Sequence, residues 1–158
     1  MSLTFEDEIA LAKGQFETWK PGGDVLNIAR LTTPNGEVII GIEVPTAEMR
    51  SAVICQAVED FKATRCVTVG DAWMTVKQVG DDISVRPAFD PERIEVLIVT
   101  MVTADEAYQA AFPYIVWEGR VEWGENVFGD ADAASEEIVV ATHLDIQQVI
   151  RRVRTEMN

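Results

Sequence analysis

The stretch "VLNIARLTTPNGEVIIGIEV", residues 25–44, decides the fold class. Two runs rich in Val, Ile and Thr flank Pro34-Asn35-Gly36. Proline presets φ at a first turn position, and glycine accepts the positive φ of a bulged hairpin loop. The pattern predicts antiparallel strands over 25–32 and 37–44 with the Pro-Asn-Gly turn between them.

Upstream, residues 4–20 read as an amphipathic helix. Phe5, Ile9, Ala12, Phe16 and Trp19 recur on one face, Thr4 suits the N-cap, and acids fill the first turn. Pro21-Gly22-Gly23 ends it. Downstream, residues 46–64 form a second helix, with Thr46 as its cap and Met49, Val53, Ala57 and Phe61 along the expected buried stripe. "CVTVGDAWMTVK", 66–77, reads as a strand that is bulged or bent at Gly70. The stretch 78–92 is polar and long for a plain connection.

"IEVLIVTMV", 94–102, is almost continuously apolar and β-branched, as a central strand covered on both faces would be. Residues 104–111 read as a helical turn. In "FPYIVWEGRVEWGE", 112–125, a turn at Glu118-Gly119 sets Tyr114 against Trp123, Val116 against Val121, and Trp117 against Arg120. Alternation then gives one core face, Tyr114, Val116, Val121 and Trp123, and one mixed face, Ile115, Trp117, Arg120 and Glu122. Trp117 is expected near the surface, with a stack on Arg120. An acidic loop and a last short strand "IVVA" follow. A Thr142-x-x-Asp145 cap opens a final helix, whose buried stripe is Ile146, Val149, Ile150 and Val153.

Hairpin spacing dominates and no regular βαβ alternation occurs. The expected architecture is one α+β domain over residues 1–158, with a single mostly antiparallel, at most mixed, sheet of 6–7 strands and about three helices packed on it. The opening Met-Ser-Leu reads partly as a cloning remnant.

Net charge is −14, from 13 basic and 27 acidic residues. Such a surface repels phosphate, so nucleic acid is not expected as a partner. Arg151, Arg152 and Arg154 cluster where a helix C-terminus welcomes cations. The N-terminus has acids where a signal peptide needs cations, and no segment has the ~18 apolar residues of a membrane span. The reading is a cytoplasmic protein with free thiols at Cys55 and Cys66, no membrane partner, no cofactor and no metal.

Chemistry-bearing constellations are sparse. His143, the sole histidine, precedes Asp145, but neither cysteine sits in a nucleophile elbow. One histidine and two dispersed cysteines lack zinc-ligand spacing, and "DADAASEE" lacks the glycine and spaced glutamate of a calcium loop. Asp24 and Glu43 could open a carboxylate nuclease pattern, but the needed E-x-K is missing.

The stretches that stand out are "GDAWMTVK" and "FDPERIEVLIV". If their strands pair, Asp71, Trp73, Arg93 and Glu95 come together, with Asp90 at the preceding turn. The plainer reading is strand-end ion pairing plus a core Trp73. D-A-W followed by D-P-x-R-x-E, residues 70–103, resembles small uncharacterised bacterial proteins. The resemblance implies a bacterial α+β domain and no activity or site.

The leading functional expectation is a non-enzymatic, homodimeric interaction domain with Ile115, Trp117 and Arg120 at the interface. The alternatives are an acidic inhibitor or immunity-type protein that covers a basic partner with residues 125–137, and a small hydrolase using carboxylates near Asp71, Asp90 and Glu95.

Overall fold

A computed structural model describes residues 3–23, 27–44, 47–75, 80, 91–128 and 141–157. The expected Thr46 cap, Asp24, Asp90, most of the 78–92 stretch and the 129–140 segment, with all of the expected strand "IVVA" but Ala141, lie outside these residues, and Ala141 belongs to the last helix. The elements are α1 Phe5–Trp19, β1 Asn27–Thr33, β2 Gly36–Gly41, α2 Ala47–Phe61, β3 Arg65–Met74, β4 Ile94–Thr103, β5 Ala107–Trp117, β6 Arg120–Trp123 and α3 Ala141–Met157. The six strands form one antiparallel sheet in the order β2-β1-β3-β4-β5-β6, which is the α+β class the hairpin spacing predicts.

Local chemistry fixes the turns. In the β1–β2 hairpin Thr33 pairs with Gly36, whose φ is +114°, so a β-branched residue there would be strained. The Thr33 hydroxyl accepts from Asn35 N at 3.1 Å and donates to Gly36 O at 2.7 Å. In the β5–β6 hairpin Glu118 and Gly119 have φ of +49° and +73°, the signs a type I′ turn requires. Its pairs are Tyr114–Trp123, Ile115–Glu122, Val116–Val121 and Trp117–Arg120, in the expected register.

The sheet's two faces bury different partners. On the first, α1 packs Phe5, Ile9, Ala12 and Phe16 against Val67, Val69, Leu97, Val99, Met101, Ala110, Phe112 and Tyr114. On the second, α2 and α3 pack Ile54, Val58, Ile146, Ile150 and Val153 with Ala29, Leu31, Cys66 and Val102. β4 contributes to both cores and Val99 is fully buried, as its unbroken apolar run implies.

Thr4 and Asp7 close the N-terminus of α1 as a capping box: the Thr4 hydroxyl accepts from Asp7 N at 3.2 Å, and Asp7 accepts from Thr4 N at 3.0 Å. Glu8 sits inside the helix's apolar stripe and is buried. Its carboxylate accepts from Arg30 on β1 and from Arg65 on β3, the latter at 3.0 Å.

Five expectations need correction. Residues 107–111 are strand, not helix: Thr103 closes a tight turn by accepting from Asp105 N and Glu106 N, and pairing with β4 overrides the helical leaning of Ala-rich sequence. The α2 face is rotated, because residues spaced by four drift about 40° per step around a helix. Met49, Val53 and Phe61 are exposed while Ile54 and Val58 are buried. Gly70 makes no bulge, and the β3–β4 register runs through it unbroken. A side chain there would collide with the Asn27 side chain. Trp19, the last residue of α1, is half-exposed and not part of the core. α3 already includes Ala141, so Thr142 stands inside the helix and not at the position before it.

Candidate functional site

Three adjacent strands bring chemistry to one place on the face that α1 covers. β3–β4 pairing sets Trp73 beside Glu95, and β4–β5 pairing ends at Val96–Pro113, which puts Tyr114 next to Glu95. Tyr114 in turn faces Trp123 on β6. One row across four strands therefore reads Trp73, Glu95, Tyr114, Trp123. Asp71 lies two residues before Trp73 and so on the same face.

α1 closes this row from above. Phe16 meets the Tyr114 ring edge-on at 4.8 Å and the Trp123 ring at 5.5 Å. The Trp123 indole N–H donates to Glu17 at 2.6 Å. Tyr114 and Trp123 are thus held by the fold, as the sequence implies. The residue after the helix, Lys20, points its ammonium into the row. It donates to Asp71 at 3.1 Å, lies 3.6 Å from Glu95, and stands 5.6 Å from the centre of the Tyr114 ring.

The Tyr114 hydroxyl donates to Glu95 at 2.5 Å, with Asp71 at 3.4 Å. Burial, followed by the hydrogen bond to Glu95 and the nearby Asp71 charge, pushes the phenol well above its ordinary value. Tyr114 is therefore a fixed proton donor at neutral pH, and Lys20 and Tyr114 already occupy acceptor positions on both carboxylates. Their geometry suits charge recognition.

A cavity of about 660 Å³ opens beside the row. Lys20, Arg93, Glu95, Tyr114, Glu122 and Trp123 line it, with Ile94, Pro113, Ile115 and Val116 among its apolar walls. Arg93 stacks on the rim of the site. Its guanidinium lies 4.5 Å over the Trp73 ring. Trp73 is consequently a half-open rim residue and not the core tryptophan expected.

The structure thus brings Asp71 and Glu95 together and places Arg93 at the rim. Sequence reading missed Lys20 and took Tyr114 only as core. A lysine after the helix breaker carries no signal of its own, because its position depends on how α1 docks.

The expected interface residues share the other face of the β5–β6 hairpin. Ile115 is 64% and Trp117 62% exposed, and Arg120 is exposed beside them. The thiols offer little nucleophilic chemistry. Cys66 is buried and pushed up to about 12 by desolvation, and burial also raises Cys55.

Among the described residues, no helix is long and apolar enough to cross a membrane. Compared with protein-family models, curated proteins and solved structures, the chain matches none.

Proposed function

We propose that the chain is a non-enzymatic interaction domain that works as a homodimer through its β5–β6 hairpin. The observation that carries this is the end of the sheet itself. β6 is the terminal strand in the sheet order, and Ile115 and Trp117 stand exposed on the hairpin face beside Arg120 and Glu122. A terminal strand offers main-chain groups for pairing, and an exposed apolar face invites cover.

The sequence of β6 fits a second copy of itself. An antiparallel pair related by a two-fold axis at Val121 sets Arg120 of each copy opposite Glu122 of the other, on one face. Such cross-strand charge pairs contribute roughly 0.2–1 kcal/mol each. Ile115 and Trp117, directly behind them in register, extend the contact with apolar surface.

Charge reversal tests this arrangement. Arg120→Glu faces each new glutamate with the other copy's Glu122 and should give a monomer. Arg120→Glu/Glu122→Arg restores complementarity and should restore the dimer. Sedimentation that finds the same mass for all three proteins rejects the hairpin as the interface.

A further inference from the structure

We infer that Asp71, Glu95 and Tyr114, with the cavity beside them, form a binding site for a primary ammonium carried on an apolar body, and that Lys20 fills this site as an internal stand-in. This goes beyond the dimer contact, with which the cavity shares Ile115 and Glu122.

The chain's own lysine reports the chemistry the site recognises. An ammonium sits 3.1 Å from one carboxylate, 3.6 Å from a second and 5.6 Å from an aromatic ring centre. Two carboxylates against one ammonium leave the cluster one negative charge in excess. Glu95 is its more open member, with 37% of its side chain exposed against 14% for Asp71, and it lines the cavity. Tyr114 stays protonated and orients Glu95 by donating to it.

The cavity supplies the rest of a ligand site. Its volume, about 660 Å³, falls within the usual range for small-molecule pockets, roughly 300–1,000 Å³. Ile94, Pro113, Ile115, Val116 and Trp123 give apolar walls around a few convergent polar groups. Lys20 and Arg93 balance Glu95 and Glu122 on the lining itself, so the preference for a cation rests on Asp71 behind Glu95: these two carboxylates outnumber the Lys20 ammonium between them, and an aliphatic tail would lie on the apolar walls. The net charge of −14 concentrates cations around the whole molecule, so the site must be separated from that general attraction.

Lys20 is tethered and competes at high effective concentration, so removing its ammonium should open the site to a free amine. Calorimetric titration of the full chain at low salt and neutral pH, with hexylamine hydrochloride, hexanol and sodium hexanoate, tests this. Hexylammonium should bind one-to-one, at least about tenfold tighter than hexanol, and hexanoate should not bind. Glu95→Gln should weaken the amine about tenfold, while the charge-matched control Glu48→Gln changes it less than about twofold. Lys20→Met keeps the apolar stem and should tighten amine binding about tenfold.

Equal binding of hexanol and hexylamine would reduce the site to an apolar hole. A control that loses as much as Glu95→Gln would reduce it to general charge attraction. Either result, or no amine binding by the unmodified chain and Lys20→Met alike, overturns the inference. So does weaker amine binding by Lys20→Met. If a variant does not fold, the comparison of three probes on the unmodified chain still decides. Trp117 does not line the cavity, so a Trp117→Glu chain should still prefer hexylammonium to hexanol, which separates the amine preference from the dimer contact.

Discussion

Glu8 shows how one residue can tie a helix to a sheet. It sits three positions after Phe5, inside an otherwise apolar stripe, and its buried carboxylate meets Arg30 and Arg65 from two strands. Arg65 is itself buried, and its guanidinium also donates to Leu3 O at 2.6 Å. Glu8→Ala would leave that cation without its counter-charge, a change that costs about 3–5 kcal/mol. A drop of that size in urea unfolding is the expected outcome. Gly36 carries a smaller penalty: at φ +114°, Gly36→Val should lose about 1 kcal/mol or more in the same assay. Tyr114 gives a pH signature. Its folded pKa is raised, so its contribution is fully present below the unfolded value of 10 and is lost as pH rises above it. Stability should fall faster above pH 10 in the unmodified chain than in Tyr114→Phe, as thermal melts of both across the alkaline range would record.

Elements differ in how openly their sequences declare them. Both hairpin turns are readable because Pro-Asn-Gly and Glu-Gly constrain φ locally, and the register of residues 114–123 follows from the turn alone. β4 is readable because nothing but a doubly covered strand needs "IEVLIVTMV". Val99, fully buried on β4, makes the test: Val99→Asp should abolish cooperative unfolding and soluble expression, because an unpaired charge has no partner there. A soluble variant with a normal circular dichroism melt would place the strand at an edge. Residues 107–111 mislead because alanine favours a helix in isolation, and only the pairing with β4 decides otherwise. The rotation of α2 is hidden for a related reason. Its sequence is apolar on more than one side, and contact with α3 selects Ile54 and Val58. The candidate site is half readable: Asp71 and Glu95 stand out as charges next to apolar strands. Lys20 and the Tyr114 hydroxyl join them only through tertiary packing over 51 and 19 residues of chain from Asp71 and Glu95 respectively.

At the scale of the whole molecule, coverage of the sheet is uneven. α1 lies over the Tyr114–Trp123 face, and α2 and α3 gather over β1, β3 and β4 on the other. The far end of the second face, at the β5–β6 hairpin, keeps Ile115 and Trp117 in the open. Pairing of the β6 edge with a second copy would join the two exposed faces into one, with Trp117 directly behind the Arg120 that meets the partner's Glu122; Trp117→Glu would compete for that Arg120 and should then block association without unfolding the chain, since that side chain supports nothing in the core. The most direct measurement is the mass in solution by light scattering at two concentrations in dilute neutral buffer. Twice the 17.5 kDa chain mass is expected for the unmodified protein and a folded single-chain mass for Trp117→Glu. A single-chain mass for the unmodified protein at both concentrations would contradict it.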